Sequence, residues 1–413
     1  MLSYDPPELQ EQLTSAMQRM EKLLDDGYEF ASDAFNPAAE DFDPSEYEDD
    51  VTVKADDTFE LLLWPCEYPM SIPYNEFICL VDELEQSQLE GNLECWTPKR
   101  YYLRVEPMFW GLDGSYIVDS LNEEFRLGDT VVTCSIVTDY TPFGFLIAAN
   151  GEYTKHFPPV LAEDLFIQVE WNCPVEKKEI RAIVAAFRFE VSATVGVDLR
   201  PSPRGESFEW DEDEEELPKL LPLRNLLTGS GVPELLEIYN KAACVNDPEI
   251  EILYFTKVFE YVAQTVLRLR LTETIRTKLQ SPAALNPSAN YILELEELFA
   301  EERSYRKDRE AIILTAIACC EATELAKDCP SFLSDLKVIT GSTKRKQKDA
   351  AVEKFAKALC ATRNWTAHAK ANHVPTGDEC PQQELAIFSR CTRIAAQQVI
   401  RWYAARPEAE RVT

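Results

Sequence analysis

EIEILYFTKVFEYVAQTVLRLRL, Glu249 to Leu271, decides the fold of the second half of this chain. Wound at 3.6 residues per turn, it places Leu253, Val258, Tyr261 and Val262 on one broad apolar face, so it reads as a long helix rather than a strand. Further helical segments follow over Tyr291–Phe299, Ala311–Leu325, a shorter one at Phe332–Ile339, Val352 to about Ala369, and Gln382–Ala405. Long helices joined by short turns that carry Pro or Gly indicate an all-α bundle, spanning about residues 233–406.

Upstream the period changes. Between about 51 and 200 the runs FELLLW, RYYLRVEP, TVVTCSIVT, FGFLIAA, LFIQVEW and AIVAAFRFEVSATVGV are short, rich in β-branched and aromatic residues, and divided by turn residues. One helix, NEFICLVDELEQSQ, interrupts them. These features predict an α+β domain built on an antiparallel sheet or partial barrel. Before it, Leu9, Leu13, Met17, Met20 and Leu24 recur three or four residues apart, giving an amphipathic helix with Pro near its start and Gly past its end. An acidic stretch from Ala31 to Asp57 suits either a flexible linker or a segment that docks on a partner. Residues 201–232 form a second acidic connection, with Asp211 to Glu216 as six consecutive acids. These suit a solvated linker or an internal mimic of phosphate resting in a basic groove. The expected scheme is therefore multidomain: 1–50 helix and acidic linker, 51–200 acidic α+β regulatory or sensing domain, 201–232 linker, 233–406 helical domain.

The 413 residues suffice for two or three cores. The net charge of −32 is concentrated in residues 1–216, where 14 Lys and Arg face 48 Asp and Glu; residues 217–413 hold 27 basic and 25 acidic residues. Such an excess of acid opposes phosphate binding by the first half, whereas the second half carries no such veto. The opening MLSYDPPELQ lacks a basic region followed by an apolar run, and no apolar stretch approaches a membrane span, so a soluble cytoplasmic protein is expected. Twelve cysteines without a CxxC pair, and only three histidines, predict reduced thiols, no zinc site and no cofactor.

Two of those histidines fall in ALCATRNWTAHAKANH, Ala358 to His373. Within it, RNWTAH sets His368 five residues after Arg363. This motif, the helices around it and the early segment YFTKVFEYV together resemble the HEPN superfamily, over about residues 233–406. Ribonucleases of that superfamily carry an R-x(4–6)-H motif, often with a polar residue after the Arg. The resemblance implies a homodimer with two motifs facing each other, and metal-independent cleavage of RNA to a 2′,3′-cyclic phosphate and a 5′-hydroxyl. It also implies a role in phage defence, toxin–antitoxin pairs or abortive infection, with tRNA among the candidate substrates and a protein or phage-derived trigger acting on the N-terminal half.

The chemistry of the residues agrees with that implication. RNA supplies its own nucleophile, the 2′-hydroxyl, so the protein need only move protons and stabilise charge on phosphorus. Histidine titrates near neutrality and can do the first; arginine stays charged and its planar fork can do the second. On an ideal helix Arg363 and His368 stand about 140° apart, so convergence needs a distorted helix, a long reach or a second copy. Asn364 and His368 are four apart and share a face, which predicts that Asn364 orients the imidazole or binds phosphate. Lys370 and the run Lys344, Arg345, Lys346, Lys348, Lys354 and Lys357 offer phosphate contacts, or else form a solvated face. A non-catalytic alternative pairs Arg363 with a carboxylate such as Glu260 and makes the bundle a dimerisation or binding platform whose acidic N-terminal half engages a protein. A third alternative has the acidic half imitate nucleic acid. His156 is expected as a loop or packing residue, and His373 as a loop residue or a support to the motif.

Overall fold

The computed structural model describes residues 2–24, 29–30, 51–62, 70–91, 93–108, 121–138, 141–149, 164–202, 221–304, 308–367 and 377–413. Contacts divide the chain into two units, residues 1–184 with 194–225, and residues 185–193 with 226–413. An N-terminal sheet-rich region thus precedes an all-helical one. His156 and the acids 211–216 lie outside the described residues.

In order, the first unit contains β1 (Leu2–Asp5), α1 (Leu9–Leu24), β2 (Glu29–Phe30), β3 (Val51–Lys54), β4 (Thr58–Leu62), β5 (Met70–Pro73), α2 (Tyr74–Leu84), β6 (Gln88–Glu90), β7 (Glu94–Trp96), β8 (Arg100–Pro107), β9 (Asn122–Leu127), β10 (Thr130–Val137), α3 (Pro142–Ala149), β11 (Leu165–Trp171), the start of α4 (Lys177–Glu190), whose residues from 185 belong to the second unit, and β12 (Leu199–Pro201). The largest sheet is antiparallel, with strands ordered β6-β7-β8-β11-β10-β9 and β12 also pairing with β8. Along β10 Val132, Cys134 and Ile136 are buried, the alternation a pleated strand requires. Central β8 is buried on both faces. Tyr102 joins a core with Leu9, Leu13, Met20, Phe77 and Phe143, while Tyr101 stacks on Trp96, which Lys177 of α4 overlies at 4.6 Å. Leu9, Leu13, Met20 and Leu24 of α1 therefore belong to this core.

Two segments expected as strands are helices. FGFLIAA lies in α3, with Phe143, Phe145, Leu146 and Ile147 buried. AIVAAFRFEVSATVGV runs through α4 into a π-helical turn, Val191–Val195. FGFLIAA is apolar and buried, so it carries no period to separate helix from strand; the exposed residues of α4, Lys177, Lys178, Glu179 and Arg181, precede AIVAAFRFEVSATVGV, so that run shows only the buried part of its helix.

The second unit contains α5 (Val232–Ala243), α6 (Pro248–Leu279), α7 (Ala289–Ser304), α8 (Asp308–Cys319), α9 (Ala322–Leu325), α10 (Ser334–Lys337), α11 (Arg345–Ala367) and α12 (Leu385–Ala404). The helix expected over Ala311–Leu325 is broken between Cys319 and Ala322, and Phe332–Ile339 contributes a single helical turn. Helix α6 starts where its sequence dictates: the Asp247 side chain accepts from the N–H groups of Glu249 and Ile250 at 2.9 and 3.2 Å, and Pro248 occupies the first turn. Ile252, Phe255, Val258, Phe259, Val262 and Val266 are buried against α5, α8, α11 and α12, making α6 the axis of the bundle.

The segment 185–193 is locked into this bundle by polar contacts. Glu190, fully buried, receives both prongs of the Arg401 guanidinium at 2.9 and 2.8 Å. The Tyr239 hydroxyl lies 2.9 Å from that of Ser192 and accepts from Arg393 and Gln397 at 3.2 and 2.7 Å. Asn240 donates to the carbonyl of Ala185 at 2.9 Å.

Candidate active site at the end of a long helix

Helix α11 buries Val352, Phe355, Ala356, Leu359, Cys360 and Thr362 on one side. Arg363 follows directly and lies on that same buried side, at the C-terminal end of the helix, with a quarter of its side chain exposed. Its Nη2 donates to Glu260 Oε1 of α6 at 2.6 Å, and its Nη1 donates to the Asn364 side-chain oxygen at 3.1 Å. The fork is thus held by a carboxylate from the central helix and by its own neighbour. Asn364, expected to serve the imidazole or a phosphate, here steadies the guanidinium. His368, Lys370 and His373 lie outside the described residues.

Both ends of the segment that carries them are fixed beside Arg363. The chain is described up to Ala367, at the end of α11, and again from Gly377. The N–H of buried Cys380 then donates to the buried Thr362 hydroxyl at 2.9 Å, and Arg309 of α8 pairs with Asp378 at 3.4 Å. The Cys360 thiol points at the Arg309 carbonyl, 3.9 Å away. Burial pushes that thiol up to about 12, against the pull of Arg309 and Arg363 and assisted by Glu310 and Glu260. Arg309 and Glu310 of α8 therefore lie near Cys360, three residues before Arg363, and Asp378 is tied to Arg309. Only tertiary packing brings them there, and no local sequence signal points to them.

The basic run does not form one face. Lys346, Lys357 and Asn364 fall within about 20° of one another around the axis, whereas Lys348 turns about 160° away, on the buried side. Among the described residues, Arg345 pairs with Asp349, Lys348 with Glu321, Lys354 with Asp335 and Lys357 with Glu353, while exposed Lys344 and Lys346 have no ion-pair partner. Pairs this exposed are worth at most about 1 kcal/mol, so they yield readily to a phosphate. The depression beside Lys354, lined by Phe332, Leu333, Asp335 and Ala351, holds about 50 Å³, too little for a nucleotide.

No protein-family model matches the chain, and neither a curated protein nor a solved structure is similar to it. Among the described residues no three His, Cys, Asp or Glu side chains converge as a metal site, and no helix is long and apolar enough to cross a membrane.

Proposed function

We propose that this chain is a metal-independent endoribonuclease of the HEPN type, acting as a homodimer on RNA. In this proposal Arg363 stabilises charge on the scissile phosphate and His368 moves the proton of the 2′-hydroxyl or of the 5′ leaving oxygen, giving 2′,3′-cyclic phosphate and 5′-hydroxyl ends. One imidazole per chain serves as acid or base, and a second copy supplies the other. Asn364 and Glu260 position the guanidinium; Lys346 and Lys357 line the approach. The acidic N-terminal unit restrains or senses, as a regulated nuclease in antiviral defence or a toxin-like system requires.

The observation that supports this best is the placement of Arg363. It is part-exposed at the end of α11, with both ends of the segment bearing His368 anchored beside it. The test is incubation of the purified protein with tRNA and total RNA in EDTA, with mapping of new ends. Cyclic-phosphate ends in chelator are expected; a strict magnesium requirement overturns the mechanism.

A second reading is favoured by the Glu260 contact itself. A guanidinium already neutralised by a carboxylate serves equally well as a strut between α6 and α11, in a non-catalytic dimerisation or binding domain. Under that reading no RNA is cleaved, and Arg363→Ala acts on stability alone.

A further inference from the structure

The cations that sequence spacing offers to a substrate lie on α11, and most are already engaged. Arg345, Lys348, Lys354 and Lys357 each pair with a carboxylate of the chain, which a phosphate must displace. Lys346 is bare but remote: it stands seventeen residues before Arg363, about 25 Å along the helix. The other helix at the site, α6, differs. It meets Arg363 through Glu260, and beside that residue an exposed row runs along the helix. Measured from Glu260, Lys257 lies about 60° round the axis and about 4.5 Å back. Gln264 lies about 40° round and about 6 Å forward, and Arg268 about 80° round and about 12 Å forward. All three are exposed, whereas Val258, Phe259, Val262, Ala263, Val266 and Leu267 are buried on the other side of α6.

Charge along this row has one sign. Between Leu253 and Arg270 the helix carries a single acid, Glu260, and that carboxylate is committed to Arg363. Lys257 and Arg268 have no carboxylate partner among the described residues. The Lys257 ammonium instead sits over the Tyr254 ring, 4.3 Å from its centre, which holds it at the surface. In a chain of net charge −32, bare cations before and after a part-exposed arginine mark a place for an anion whose charges are spaced along a line.

We propose that this row of α6 is the track on which the RNA strand lies at the Arg363 site. Lys257 and Arg268 hold phosphates on either side of the one at Arg363, and Gln264 donates to the strand between them. The inference rests on the RNA-cleaving reading for the identity of its substrate. Contacts to phosphate alone carry no base code, so the track should bind strands of different sequence about equally and with a strong dependence on salt.

The test is binding of the full chain to a 2′-O-methyl oligoribonucleotide, which lacks the nucleophile and so separates binding from cleavage. Cleavage of the unmodified RNA in EDTA is measured beside it. Lys257→Ala and Arg268→Ala should each weaken binding about tenfold whatever the sequence, with helical content unchanged. The double variant should reduce the slope of log affinity against log salt by about 1.4. In cleavage both should raise KM far more than they lower kcat, because the lost contacts hold substrate and transition state alike. Lys257→Arg should recover most of the affinity, and Lys241→Ala, at an exposed cation of α5, should lose none. Variants of Lys257 and Arg268 that bind and cleave like the wild type overturn the track and leave the nuclease standing. Binding that depends on both residues, without cleavage by the wild type, upholds the track and removes the nuclease. A wild type that binds no oligonucleotide overturns the track.

Discussion

Replacing Arg363 by Ala separates catalysis from architecture, and the structure sets both magnitudes. Opposite charges about 4 Å apart attract by about 4 kcal/mol at an effective dielectric of 20. Here the guanidinium is 25% and the Glu260 carboxylate 33% exposed, so water returns most of that energy and the pair is worth about 1 kcal/mol or less. For a helical unit of this size the loss lowers Tm by about 2–4 °C. A donor aimed at charge that develops in the transition state is worth far more, about 10²–10³ in rate. Arg363→Ala should therefore abolish most RNA cleavage while barely moving the melting curve, and Arg363→Lys, which keeps charge but loses the planar fork, should recover only part of the rate. The assay is cleavage of end-labelled tRNA in EDTA, read beside thermal melting of the same preparations. A folded Arg363→Ala protein that cleaves within tenfold of wild type refutes the catalytic role. Activity that falls only in step with a large loss of Tm refutes the division between site and scaffold.

Glu190→Ala, which strands the Arg401 guanidinium against a core position, should cost about 3 kcal/mol in chemical denaturation; a change below about 1 kcal/mol counts against the lock. For the same reason a chain beginning at residue 217 should melt well below one beginning at residue 177, because residues 185–193 pack in the helical unit; equal melting curves contradict that packing. The Ser331 hydroxyl, with the N–H groups of Phe332 and Ser331, holds the Glu384 carboxyl below its ordinary value. A depressed carboxylate stabilises the fold above its unfolded value near 4.5 and loses that contribution as pH falls through the folded value. Glu384→Gln should thus be less stable than wild type by about 1 kcal/mol at pH 7, with the gap closing below about pH 4.5; a gap that widens in acid is incompatible with this. Of the eleven described cysteines, Cys79 and Cys173 are exposed, whereas burial pushes Cys95, Cys360 and Cys380 up to about 12. At pH 7.5 a thiol reagent should modify the exposed pair first and these three only on unfolding, as peptide mapping would show.

How much of this was legible in the residues depended on whether a segment touches water. Helices α6, α11 and α12 each keep one polar side, so 3.6-residue periodicity survives and marks them. β8, β10 and β11 are short, β-branched and bounded by turn residues. α3 fails that test because burial all round erases its period, and the exposed first turns of α4 lie ahead of AIVAAFRFEVSATVGV, so FGFLIAA and AIVAAFRFEVSATVGV both look like strands. The motif RNWTAH and the partner Glu260 were visible as chemical types, since an arginine on the apolar side of a helix calls for a carboxylate. The neighbours Arg309 and Glu310 were not visible, because they stand more than fifty residues from Arg363 and meet α11 only through the packing of α8 against it, and Asp378 is placed by its pairing with Arg309, 69 residues away.

The chain by itself determined a sheet-rich half, a helical half, the asymmetry of charge between them and the place of its arginine–histidine motif, because composition and periodicity are local properties. Tertiary structure alone decided that residues 185–193 belong to the helical unit and that Glu260 and Asn364 hold the Arg363 fork. Each of these depends on which distant side chains share a desolvated space, and no local pattern encodes that.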